Sequence, residues 1–274
     1  MGAARDRRRA DEGRAAAVAP PAAQADHGGM VWLAGAAIAY SVVHHVGSGL
    51  AGLGPVGSSS TRWADWVDVA TPYAFLLPAA VALRRVGGVA ARTWLVYLVG
   101  AITYVEGHGV HLSANSINNA APTAAAHLWD EVVGHYLWFT GAMLVWAALA
   151  TGFARHRPAG GPFPALLALA VGVTVATNAL EGGTALLGLA AAAAFAVRGW
   201  LTRDRLGRLI LIAFVPATLI IIAWGVRNRV FPNPRKSAGA EVSSATRATG
   251  DGHRSRLRVY AHPRIALALN PPES

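Results

Sequence analysis

The chain has no cysteine, a single lysine, and charged residues at only 14% of its 274 positions. Without cysteine there is no disulfide, no thiolate metal ligand and no thiol nucleophile, so any chemistry must rest on histidine, carboxylates, amides and hydroxyls. The one lysine, Lys236, stands in the C-terminal tail. The apolar part of the chain therefore lacks an amine for a Schiff base, which argues against a retinal-binding pump. Soluble domains carry about 25% charged residues. Scarce charge, with 54% hydrophobic residues and a mean hydropathy of +0.37, marks a polytopic membrane protein instead.

The net charge of +10 and pI near 11.1 do not indicate nucleic acid, because the arginines lie in the tails and in particular loops. Residues 1–28 mix Ala, Arg and Pro without an apolar period and read as a disordered basic arm. The short "AAAVA" within them is too brief for the core of a signal peptide. Residues 29–229 read as an all-α membrane helical bundle of about seven transmembrane helices, with spans near 30–53, 64–83, 91–113, 126–152, 163–180, 183–201 and 207–226. The fifth and sixth are joined only by "EGG", a tight hairpin. Residues 230–274, rich in Pro, Ser and Arg, read as a disordered basic tail.

Orientation follows from the basic residues. The N-terminal arm carries Arg5, Arg7, Arg8, Arg9 and Arg14, and the second, fourth and sixth loops carry Arg84, Arg85, Arg92, Arg155, Arg157, Arg198, Arg203, Arg205 and Arg208. The first, third and fifth loops hold only Arg62. A cytoplasmic N-terminus is expected, which sends an odd number of spans and the basic tail to the outside.

The other polar residues collect at the opposite helix ends. Six of the ten histidines (His44, His45, His108, His111, His127 and His135) lie there, with six of the fourteen acids (Asp65, Asp68, Glu106, Asp130, Glu131 and Glu181). Tyr104, His108, His111 and Asn115 recur at steps of four, three and four, the spacing of one helix face. His127, Glu131 and His135 do the same in the fourth span, with Asp130 beside them, and Asn178 and Glu181 sit one turn apart in the fifth. Such stripes turn away from lipid. Glu106 precedes Asn115 by nine residues and so lies roughly 13 Å deeper, at 1.5 Å per residue.

Histidines and carboxylates at i, i+3 and i+4 on neighbouring helices are how bundles build metal sites. The expected site is a divalent metal, zinc or iron, near the outer leaflet, with ligands from His44 or His45, His108, His111 and His135. Glu106, Asp130 or Glu131 then acts as base on a metal-bound water, and Tyr104, Asn115, Asn178 and Glu181 orient substrate or ligands. The expected activity is hydrolysis of a lipid or other apolar substrate within the bilayer. Asp65 and Asp68 read as acids at a helix N-terminus, and Trp138, with Trp63, Trp129 and Trp224, as a belt or core aromatic. Two alternatives use the same residues: a haem-binding electron carrier with two axial histidines, and a proton- or cation-coupled transporter with Glu106, Glu131 and Glu181 as its relay.

A seven-helix bundle with inward histidines and acids resembles the membrane-embedded zinc hydrolases related to alkaline ceramidases and progestin/adipoQ receptors. Those proteins carry a paired-histidine motif in the last span, whereas residues 207–226 contain no histidine. The resemblance is one of architecture, and no residue is carried over from it.

Overall fold

A computed structural model describes residues 22–50, 53–59, 61–156, 158, 160–229 and 231, with side chains undescribed at 22–27 and 46–50. The expected disordered arm and tail lie almost entirely outside these residues. The helices are α1 Ala22–Leu50, α2 Trp63–Asp68, α3 Thr71–Val86, α4 Ala91–Ala120 and α5 Ala124–His127, a π-helical stretch Leu128–Gly134, then α6 His135–Gly152, α7 Pro162–Glu181, α8 Ala185–Thr202 and α9 Arg205–Asn228. Among the described residues the sole extended pairing is an isolated bridge between Pro55 and Arg62.

Five helical segments are long and apolar enough to cross a membrane: Trp63–Val86, Ala124–Gly152, Pro162–Glu181, Ala185–Thr202 and Arg205–Asn228. The protein is thus an all-helical membrane protein. The sequence leads one to expect seven spans; α1 and α4, with 29 and 30 residues, have the length for the other two. In α4 the apolar run is diluted by Glu106, His108, His111, Asn115, Asn118 and Asn119.

Local chemistry sets the helix ends. Asp204 accepts a hydrogen bond from the Gly207 N–H at 2.6 Å to start α9, and the Thr123 hydroxyl accepts from the Ala126 N–H at 3.0 Å to start α5. Each cap satisfies a donor that a first turn leaves open. Pro162 opens α7, where a missing N–H costs nothing. The expected hairpin between the fifth and sixth spans closes through Gly183 at φ 63°, a conformation that a Cβ opposes.

α1 and α3 pack antiparallel, as do α4 with α6 and α8 with α9, whereas α7 and α9 run parallel, with Gly172 against Ala213. Gly29, near the start of α1, lies against Val86 at the end of α3, while α9 packs against both α7 and α8. α4 packs closely on α6 and the π stretch, meeting them through Gly100 and Gly107 on one side and Gly134 and Gly141 on the other. Small residues let two backbones touch in this way where lipid supplies no hydrophobic drive between helices. One consequence is a bundle with two unlike ends. Arg84, Arg85, Arg92, Arg155, Arg203, Arg205 and Arg208 flank helix termini at one end, where Arg198 of α8 also donates to the Ala150 carbonyl at 3.0 Å and the Thr151 hydroxyl at 3.2 Å. Between the ends, Tyr40, Phe75 and Trp146 pack ring to ring at 5.0–5.5 Å. Beyond that aromatic layer lies the end where the histidines meet.

Candidate functional site

At this end α1, α4 and α6 converge on one indole. Trp138 has the rings of His44, His108, His111 and His135 at 5.1, 5.9, 5.9 and 5.7 Å, centroid to centroid, and Tyr104 at 6.3 Å. His44 and His111 stack nearly parallel to it, at 16° and 14°. Trp138 follows His135 by three residues and so shares its helix face.

The hydrogen bonds around these rings fix how each can act. His44 Nδ1 lies 2.6 Å from the Tyr40 carbonyl oxygen, which can only accept, so Nδ1 carries the proton. Nε2 then accepts from the Tyr104 hydroxyl at 2.9 Å. Both nitrogens of His44 are occupied, and the ligand role expected of it is not available without breaking one of these bonds. His45 is exposed, with Nδ1 bonded to the Ser41 carbonyl at 2.9 Å, and stands outside the ring cluster.

His108, only 3% exposed, donates from Nε2 to the Asp68 carbonyl at 3.0 Å, and its Nδ1 is left buried without a hydrogen-bond partner. Asp68 is itself fixed, because its carboxylate accepts from the Thr71 hydroxyl at 2.6 Å where α3 begins. Asp65 takes the helix-terminus role expected of it, pairing with Arg62 at 2.6 Å at the start of α2.

The tightest contact is between α4 and the π stretch. His111 Nδ1 lies 2.6 Å from Asp130 Oδ1, and Asp130 is 1% exposed. His135 stands against the same imidazole, with ring centroids 4.4 Å apart, and its own Nδ1 is 3.3 Å from the Glu131 carbonyl oxygen and 3.5 Å from Glu131 Oε2. An α-helix would turn residues five apart to directions about 140° apart. The π-helical stretch, whose hydrogen bonds run from i to i+5, lets Asp130 and His135 reach one partner; single π turns of this kind are frequent at functional sites.

With Nδ1 of His111 and His135 facing carboxylate or carbonyl oxygen, the basic lone pair of each neutral ring belongs to Nε2. His108 contributes its Nδ1 lone pair. Among the described residues no three or more His, Asp or Glu are gathered closely enough to hold a metal ion.

The remaining expected residues divide. Tyr104 is fully buried and bonded to His44; Asn178 is buried on α7, which packs against α1. Asn115, half-buried on the same stripe as His111, accepts from Asn119 at 3.1 Å. Glu106 and Glu181 are exposed, and neither is brought to the cluster. Glu106 departs from the base role for a simple reason. At about 100° per residue it points about 140–200° away from His108 and His111.

Two members were not anticipated from sequence. Trp138 continues the stripe of Glu131 and His135 by one further step, a signal that was present. Asp68 meets His108 Nε2 through its main-chain carbonyl at 3.0 Å, with its carboxylate at 3.7 Å from the same nitrogen, and the main-chain contact leaves no signal in residue type. Comparison with family models, curated proteins and solved structures found no match to this chain.

Proposed function

We propose that the protein crosses the bilayer seven times with its N-terminal arm in the cytoplasm, and that the histidine–carboxylate cluster is a hydrolytic centre in the outer leaflet for a lipid or other apolar substrate. The observation that carries this reading is the buried Asp130 at 2.6 Å from His111 Nδ1, with the His135 ring centroid 4.4 Å from that of His111. A carboxylate on one imidazole nitrogen fixes the tautomer and raises the basicity of the other, as metal-bound or base-acting histidines require. Positive-inside asymmetry supports the orientation, since the arginine-flanked end is opposite the cluster.

In this reading His111 and His135 would bind a divalent ion, zinc or iron, through Nε2, and His108, whose ring centroid is 6.5 Å from that of His111, would offer its unbonded Nδ1 as a further donor. Such an ion, when bound, would supply an activated water and polarise a substrate carbonyl. Glu131 would take the proton of the attacking water and pass it to the leaving group as the bond to that group breaks and the water oxygen bonds to the carbonyl carbon. Asp130 holds His111 in place.

A haem carrier is less well supported, because the Trp138 indole occupies the space among His44, His108 and His111 where a porphyrin would lie. A transporter needs polar groups toward the arginine end, and the buried charged residues there give way to the Tyr40, Phe75 and Trp146 layer. The test is elemental analysis of the gently purified chain with ester- and amide-linked lipids as substrates. Bound zinc or iron near one per chain, lost in His111→Gln together with lipid hydrolysis, is the expected result. A metal-free wild type that hydrolyses none of them refutes the reading.

A further inference from the structure

Glu106 sits on the side of α4 that faces away from the histidines, and there the turn after α4 folds back to form a groove. Its volume is about 740 Å³, and Glu106, Gly109, Val110, Ser113, Ile117 and Trp129 line it. The lining is otherwise mostly apolar and opens to the side of the bundle, with Ile117 57% and Trp129 52% exposed. Nothing lies within 4 Å of where a Gly109 Cβ would be, so the floor is open at its centre.

A carboxyl group on a lipid-facing wall is costly, about 2.5–3.5 kcal/mol for an acid at mid-helix on insertion scales, unless something pairs with it. Among the described residues no ion pair or hydrogen bond engages Glu106. α4 has one basic residue besides its histidines, Arg92, fourteen positions away at the other end of the helix. A cation that pairs with Glu106 therefore comes from beyond the described residues. A second copy does not supply it, because a symmetric contact through this face sets Glu106 against Glu106.

We propose that this groove binds a single-chain amphiphile carrying an amine, with the ammonium group against the Glu106 carboxylate and the alkyl chain along Val110, Ile117 and Trp129. The inference rests on α4 spanning the bilayer and is independent of the hydrolytic reading. It gives Glu106 a binding role in place of the catalytic one that its position in the sequence suggests.

The full chain, purified in detergent, is titrated with a spin-labelled alkylamine in competition with dodecylamine, dodecanol and dodecanoate. The expected result is that the amine competes about tenfold better than the alcohol, the scale of a polar contact of about 1–2 kcal/mol in a membrane. Glu106→Gln removes that preference and leaves the alcohol unchanged, and Gly109→Leu weakens all three by filling the floor. A cysteine at position 109 is protected from a water-soluble maleimide where α4 spans. Reaction with that reagent overturns the span and the inference with it. Protection combined with equal competition by the three amphiphiles overturns the inference alone. So does a disulfide between copies through Ser113→Cys that saturating dodecylamine fails to prevent. The comparison of amphiphiles on the unsubstituted chain needs no variant to fold.

Discussion

The α4–α6 contact makes a demand that two glycines, two residues apart on opposite faces of α4, can test. A Cβ at Gly107 would stand 2.7 Å from Leu137 Cβ and 2.8 Å from the Gly134 carbonyl oxygen, and closer still to the Trp138 nitrogen, where ordinary contact is 3.4–4 Å. Two of these neighbours are main-chain atoms of the π stretch and α6, which cannot rotate away. Gly107→Ala therefore pushes the helices apart by about 1 Å, because interiors are packed too densely to absorb it. The same movement carries His111 from 2.6 Å to about 3.6 Å from Asp130, outside hydrogen-bond reach. Overpacking of this kind costs about 1–3 kcal/mol.

Gly109→Ala supplies the control. It lies on the same helix, meets nothing within 4 Å, and gains about 0.5–1 kcal/mol from the lower backbone entropy of alanine. The two variants share composition, so detergent, expression and helix propensity cancel between them. Thermal unfolding followed by circular dichroism should show Gly109→Ala at or above the unsubstituted protein and Gly107→Ala below it, by about 2–4 °C for each kcal/mol. Nitrogen NMR of labelled histidine should show the His111 Nδ1 resonance altered only in Gly107→Ala. If both alanines behave alike, the helices are not in backbone contact at this point, and the site geometry built on that contact falls with it.

Three other outcomes follow from individual contacts. Asp130→Asn keeps the shape but not the charge beside His111, and should weaken bound metal by about 10–100-fold with the fold retained; unchanged metal content would remove Asp130 from the centre. His44→Gln should leave metal content intact and lower thermal stability by about 0.5–1.5 kcal/mol for each hydrogen bond lost, whereas His111→Gln should show the opposite pattern; metal loss in His44→Gln would restore His44 as a ligand. In the cysteine-free background, single cysteines at Arg84 and Arg203 should resist an impermeant thiol reagent applied to whole cells, and one at Ser58 should react; the reverse pattern would invert the orientation.

The polar stripes of the third and fourth spans were readable because a helix repeats every 3.6 residues, and one stripe alone specifies one face. Tyr104, His108 and His111 meet the partner helix on that arithmetic. The same arithmetic, applied to Glu106, places it on the opposite face, so closeness along the chain to the histidines does not bring it to them. Asp130 is a different case. On α-helical geometry it diverges from His135, and nothing in "HLWDEVVGH" announces that Leu128–Gly134 winds as a π-helix. His44 shows a third limit. Its residue type and position qualify it as a ligand, and only the Tyr40 carbonyl at one nitrogen and the Tyr104 hydroxyl at the other reveal that both are taken.

These cases share a cause. Sequence spacing reports the direction of a side chain from its own helix axis, while a site depends on which main-chain atoms and which local winding it meets on arrival. The glycines mediate between the two, since Gly107 and Gly134 set how near α4 comes to the π stretch and hence whether His111 and Asp130 touch. Small residues beside a polar stripe therefore act as spacers that define separation rather than as filler. Along the stripe of α4 those spacers are Gly107 and, across from it, Gly134, and the shortest side-chain pairing between elements of the cluster, 2.6 Å, lies beside them.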